Sequence, residues 1–175
     1  MKRTTGCLTA ILILFGIGLV IQIISPKRAT SGSSLVNAQT VEAPTSLPPS
    51  GFSGEEWGSH PPHYLKLLLP TTSEGLSLYV SKHSARAFEG IPISEQDFQY
   101  VHNKLYGGDD YFDGGVTVWE KALSKLVKLY GLPTFRNDDL RIVRWKWKTE
   151  KVEVALSYQK SSGRTTLAYS DNDID

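Results

Sequence analysis

The chain has 175 residues, a formal net charge of +1 and one cysteine, Cys7. That length suits one domain with extensions. The near-balanced charge gives no electrostatic footprint for nucleic acid or for a strongly acidic partner, and a single cysteine excludes an intramolecular disulfide.

Residues 1–5 form a short tail carrying Lys2 and Arg3. The uncharged run from Gly6 to Ile24 is 19 residues long, close to the roughly 20 that cross a bilayer as a helix and longer than the usual signal-peptide core of about 7–15. Residues 6–24 are therefore expected to be a transmembrane signal-anchor helix, with the cytoplasmic membrane as a partner. Val36 and Ala38 before Gln39 offer a cleavage pattern whose use would give a secreted protein, but it lies far beyond the apolar run. Cys7 stands at the start of that run and not after it, so it is not a lipoprotein acceptor. Cations flank both ends (Lys2, Arg3; Lys27, Arg28), so charge alone does not set the orientation. The expected arrangement is a short cytoplasmic tail with the C-terminal domain outside the cytoplasm, single-pass in a bacterial cell membrane. Residues 25–50, rich in Ser, Thr, Pro and Ala, bury too little surface to fold and are expected to be a disordered tether. The folded domain is expected over residues 51–171.

Within it, "SHPPHYL" places His60 and His63 three apart across two prolines. The pattern fits a surface turn before a short helix. With Glu55 and Glu56 it is also the nearest approach to a metal set, though a structural metal site needs about four ligands. Next, "DFQYVHNKLYGGDDYF" fits either period. Phe98, Val101 and Leu105 suit a helix, whereas Phe98, Tyr100 and His102 suit a strand. Asp109, Asp113, Gly114 and Glu120 also occupy positions 1, 5, 6 and 12 of a calcium-binding EF-hand loop. Tyr111 at the third loop position cannot replace a carboxylate, and Gly107 and Gly108 would break an entering helix. Aromatic content favours strands, so a hairpin turning at Asn103-Lys104 is expected, with Asp113-Gly114-Gly115 leading into a helix. Asp109, Asp110 and Asp113 could form an acid/base group, but no partner stands at a recognisable spacing.

Trp119, Leu123, Leu126, Val127 and Tyr130 then follow helical spacing, with Lys121, Ser124, Lys125 and Lys128 on the other side. Thr117 and Glu120 read as a capping box; Gly131 and Pro133 mark the end. Beyond the helix the period changes to two. Val143, Trp145 and Trp147 alternate with Arg144, Lys146 and Lys148, and Val152, Val154, Leu156 and Tyr158 follow. Thr165, Leu167 and Tyr169 complete a three-stranded meander. A turn at Glu150-Lys151 would pair Trp147 with Val154, and one at Ser161-Ser162 would pair Tyr158 with Thr165. Both keep the apolar residues on one face. The fold class expected is α+β: a mainly antiparallel sheet of about six or seven strands against one amphipathic helix, plus the N-terminal transmembrane helix.

The succession "FSGEEWG", "GLSLYVSKHSARAFEGIPI", "FQYVHNKLYGG", "WEKALSKLVKLYGLPT", "VRWKWK" and "VEVALSYQKSSGRTTLAYS" resembles a family of exported or membrane-anchored bacterial envelope domains of uncharacterised function. The resemblance covers nearly all of residues 51–170. It implies the hairpin and an envelope location, but no catalytic residues and no cofactor.

No nucleophile elbow, phosphate loop or dinucleotide fingerprint is present. The function expected is a non-enzymatic envelope domain that binds a protein, an anionic lipid headgroup or a cell-wall polymer. Arg144, Lys146, Lys148 and Arg164 are the candidate contact residues, on the solvent face of the meander. The alternative is a small metal-dependent or acid/base hydrolase built on His60, His63 and nearby carboxylates.

Overall fold

A computed structural model describes residues 44, 46–81, 86–148 and 151–174. The chain divides into two units, Met1–Ala38 and Gln39–Asp175. The first, with the expected anchor 6–24, lies outside the described residues. Among the described residues no helix is long and apolar enough to cross a membrane.

The second unit is α+β, as expected: an eight-stranded antiparallel sheet with one long helix. Its strands are β3 (Leu65–Leu69), β4 (Leu76–Ser81), β7 (Glu95–Val101), β8 (Lys104–Phe112), β9 (Phe135–Asn137), β10 (Ile142–Trp147), β11 (Val152–Gln159) and β12 (Arg164–Asp171). Four shorter strands, β1 (Gly51–Phe52) with β2 (Glu55–Glu56) and β5 (Ala87–Phe88) with β6 (Ile91–Pro92), form two hairpins. The order in the sheet is β3-β4-β7-β8-β12-β11-β10-β9. Two four-stranded meanders thus meet at their last strands, β8 and β12. Helix α1 (Gly115–Tyr130) carries the chain from the middle of the sheet out to the edge strand β9.

The period-two segments form strands because alternation gives each of them one face to bury. Val143, Trp145 and Trp147 are buried, as are Val154, Leu156 and Leu167, and together they pack beneath α1. The β11–β12 register pairs Tyr158 with Thr165 and Leu156 with Leu167, as the turn at Ser161-Ser162 requires. The β10–β11 register pairs Trp147 with Val152, not Val154. It differs from expectation by two residues, and the apolar face is unchanged because two residues is the strand period.

Strands β7 and β8 form the expected hairpin. The turn falls at His102-Asn103, one residue earlier than expected, with φ of 50° and 63°. A two-residue hairpin loop with both φ positive matches the twist of its strands, and Asn tolerates that region well. Tyr106 is an extra residue in β8: Tyr100 pairs with Leu105, and Gln99 with Gly107.

Helix α1 begins at Gly115, and its N-cap is Gly114 at φ 117° with no side-chain cap bond. The expected Thr117–Glu120 capping box is therefore absent. Two consecutive glycines at positive φ start the helix ahead of Thr117, which lies within the first turn. The end is as expected: Gly131, at φ 80°, donates its N–H to Val127 O at 2.9 Å. The indole of Trp145 then donates to Gly131 O at 2.9 Å.

The segment after His63 is edge strand β3, not a short helix. Leu65 is buried there against Phe52, Phe98, Tyr100 and Leu105 in a second apolar cluster. Residues 46–50, expected to end the tether, are bonded to the domain: Trp147 Nε1 donates to Ser46 O at 2.7 Å and Trp57 Nε1 to Pro49 O at 2.8 Å.

Candidate functional site

Phe52 explains why Gly108 stands in the middle of β8. Its ring is 2% exposed and lies edge-on to Phe98, with centroids 5.0 Å apart. A Cβ on Gly108 would come within 2.2 Å of that ring and 2.8 Å of Asp97 O. The bare backbone at Gly108 is thus the seat that lets β1 rest directly on the sheet. Ser53 and Gly54 turn the chain back, with φ of 54° and 91°.

That turn roofs a cavity of about 420 Å³ between the β1–β2 hairpin, the β5–β6 hairpin, the end of α1 and the sheet. Phe52, Phe88 and Ile93 give it apolar walls, and the phenols of Tyr130 and Tyr169 line it as well. Its polar side is a relay of four side chains. Arg86 Nη1 donates to Ser53 O at 2.9 Å and also to Ser53 Oγ. Ser53 Oγ donates to Gln96 Oε1 at 3.1 Å, and Gln96 Nε2 donates to Asp110 Oδ1 at 2.5 Å. Every donor points the same way, from guanidinium to carboxyl. Asp110 Oδ2 has no hydrogen-bond partner among the described residues.

Asp110 is 5% exposed. Burial pushes its carboxyl up to about 6, although the Gln96 bond and the charge of Arg86 act the other way. Desolvation outweighs both because the cation is held at the far end of the relay. Burial also raises the Tyr130 and Tyr169 phenols, so both stay protonated.

Successive strand residues point to opposite faces, so Asp109 lies behind the cavity, on the other side of the sheet. It stands directly across from Asp97 on β7. Tyr111 Oη donates to Asp97 Oδ2 at 2.9 Å and lies 3.5 Å from Asp109 Oδ2, and Gln99 Nε2 donates to Asp109 Oδ2 at 2.9 Å. Asp97 is 9% exposed, and its Oδ1 is buried without a partner among the described residues. Both carboxyls are raised: by burial first, then, at Asp109, by the charge of Asp97. Two carboxyls this close hold at least one proton between them well above the ordinary carboxylate range.

Arg144, Lys146 and Arg164 share this second face, but not as one free stripe. Glu153, opposite Lys146, takes Arg144 at 3.6 Å and Lys146 at 3.9 Å. Arg144 also lies over the Phe135 ring at 5.4 Å. Arg164 pairs with Glu95 and lies 4.4 Å over the Tyr111 ring. It stands across from Gln159, six residues along β11 from Glu153, which is about 20 Å in a strand. Lys148 is exposed just beyond β10.

His60 and His63 are both exposed, and His63 packs edge-on against Tyr64. Glu55 takes a hydrogen bond from the Tyr64 hydroxyl instead of joining them. Asp109 lies in β8, Asp113 in the exposed loop and Glu120 on an exposed position of α1, so the EF-hand spacing does not form a loop. Among the described residues no three His, Cys, Asp or Glu side chains are grouped to hold a metal ion.

Comparison of the chain with family models, with curated proteins and with solved structures finds no match.

Proposed function

We propose that the protein is a membrane-anchored, non-enzymatic cell-envelope domain, and that it holds its partner at the cavity beneath Ser53. Residues 6–24 supply the anchor in this reading, and the folded unit lies outside the cytoplasm. The observation that carries the binding assignment is the Arg86–Ser53–Gln96–Asp110 relay. It is a one-way chain of polar side chains along an apolar cavity, ending in a carboxyl whose proton affinity burial has raised. Concave apolar sites with a few convergent polar groups and a perturbed titratable residue are where ligands bind.

Nothing in the relay is a nucleophile with an adjacent base, which favours binding over hydrolysis. The alternative hydrolase, built on His60, His63 and nearby carboxylates, draws no support from two exposed imidazoles without a third ligand among the described residues. The contact is assigned to the cavity in preference to the basic face because Glu153 offsets two of the four cations there.

The test is retention of the full chain, in mild detergent, on purified envelope material. Wild type is expected to be retained, and Asp110→Asn and Arg86→Ala to lose retention while keeping their near-ultraviolet circular dichroism. Equal retention of both folded variants would remove the cavity. Protease protection of the folded unit in intact spheroplasts, or a mature N-terminus at Gln39, would remove the exported anchor.

A further inference from the structure

We infer that the cavity takes a neutral, hydroxyl-rich ring, one sugar residue of a larger glycan. This rests on the binding role just proposed and adds the chemistry of the ligand.

Size sets the first bound. About 420 Å³ corresponds to the liquid volume of roughly fourteen waters. That accommodates one six-membered ring with its substituents.

Charge sets the second. The cavity wall carries one guanidinium, Arg86, and one carboxyl, Asp110, joined through Ser53 and Gln96. An anionic or a cationic ligand would satisfy one end and leave the other with an uncompensated charge near it. A wholly apolar ligand would dry the relay and give nothing to Asp110 Oδ2. A free α-amino acid carries both charges, but on one carbon. Here two intervening side chains separate the guanidinium from the carboxyl, and no ion pair within 4.0 Å joins them.

Hydrogen-bonding character sets the third. Asp110 Oδ2 is an acceptor when ionised, Arg86, which also reaches the Tyr64 hydroxyl, is a donor, and the Tyr130 and Tyr169 hydroxyls, bonded to each other, offer one further donor and acceptor capacity between them. A ligand that meets all of these must present groups that both donate and accept at several points around one small frame. Hydroxyl groups on a ring do this. The partly exposed apolar walls, Phe88 and Ile93, would then pack against its C–H faces.

The experiment uses the full chain in mild detergent. It is titrated with glucose, galactose, mannose and N-acetylglucosamine, and with glycine and inorganic phosphate as zwitterionic and anionic comparisons. Binding is followed by ligand-observed NMR. At least one sugar is expected to bind saturably and to compete with envelope material. Asp110→Asn and Arg86→Lys should each weaken it roughly tenfold, the loss expected for one hydrogen bond to a charged group. Phe88→Leu, which keeps the wall apolar but removes the partly exposed ring, should weaken it as well. Binding of glycine or phosphate with no sugar bound overturns the inference. So does sugar binding that is unchanged in the folded Asp110 and Arg86 variants. If those variants lose envelope retention while no sugar binds or competes, the ligand class is wrong and the binding role stands. If retention is also unchanged in the variants, both fall.

Discussion

Replacing Asp110 with Asn should make the protein more stable at neutral and alkaline pH. The carboxyl sits at about 6 in the fold against an ordinary 3.8. A raised carboxyl means that the folded state holds its proton more tightly than the unfolded chain does. The associated stability is fully present below about pH 4 and is lost as pH rises through 6. Each tenfold difference in proton affinity between the folded and unfolded states corresponds to about 1.36 kcal/mol, so ionising Asp110 in the fold costs about 3 kcal/mol once the pH is well above 6. The group is 5% exposed, so solvent screening does little to reduce that figure. Asn has nearly the same shape, and its amide oxygen can still accept from Gln96 Nε2. The variant should therefore match wild type near pH 4 and exceed it by about 2–3 kcal/mol at pH 8. That is roughly a 10 °C gain in Tm for a domain of this size. Thermal unfolding of both proteins at pH 4, 6 and 8, followed by near-ultraviolet circular dichroism, checks it. Asp97 and Asp109 contribute a slope of the same sign to both proteins, so only the difference between them is diagnostic. An Asn variant no more stable than wild type at pH 8 would refute the argument that burial dominates at Asp110.

On the opposite face, Asp97→Asn and Asp109→Asn should each relieve the shared site at pH 8. The double variant should gain less than the sum of the two, because either change already removes the repulsion; strict additivity in a double-mutant cycle would sink that coupling. Gly108→Ala should destabilise the fold by about 1–3 kcal/mol through overpacking, and the loss should shrink when Phe52→Ala is added, as read from unfolding midpoints. Trp145→Ala should cost about 3–5 kcal/mol, since the indole is fully buried beneath α1 and its Nε1 bonds Gly131 O. Lys146→Glu with Lys148→Glu should change stability by no more than about 1 kcal/mol, and in the cavity reading it should leave envelope retention at low salt intact. Lost retention in that folded variant would return the contact to the basic face.

The parts of the fold legible in the sequence are those that a local period determines. Alternation located β10, β11 and β12 and assigned their buried faces, and the helical stripe ending at Gly131 located α1. Register was legible only to within one strand period. A shift of two residues between β10 and β11 preserves the apolar face, so hydrophobicity cannot detect it. That ambiguity hid an interaction. The expected register places Ala155 opposite Lys146, whereas the observed one places Glu153 there, between Arg144 and Lys146. Arg144 and Lys146 do lie on one side of β10, but hydrophobic alternation carries no signal for their counterion. The cavity had no local signature. Its relay draws on residues 53, 86, 96 and 110, brought together only by the sheet order. The single hint was "GGDD": glycines where a ring must approach the backbone, then two consecutive carboxylates that a strand sends to opposite faces.

Those carboxylates are also the strongest physical argument for where the protein acts. Elsewhere the sheet obeys simple rules, with apolar residues beneath α1 and charges in exposed pairs such as Arg136–Asp138. The β7–β8 ladder breaks them three times within a few residues, at Asp97, Asp109 and Asp110, each with its proton affinity raised first of all by burial. Each break lowers stability at neutral pH, and amides of the same shape would remove the penalty. Where a chain keeps such groups against the interest of its own stability, function is the compensating gain to look for. The breaks also act on one another: the charge of Asp97, on the open face, raises Asp110, on the cavity face. Ionising the carboxyl on one side of the strand pair therefore makes ionising the one on the other side harder, an effect smaller than that of burial.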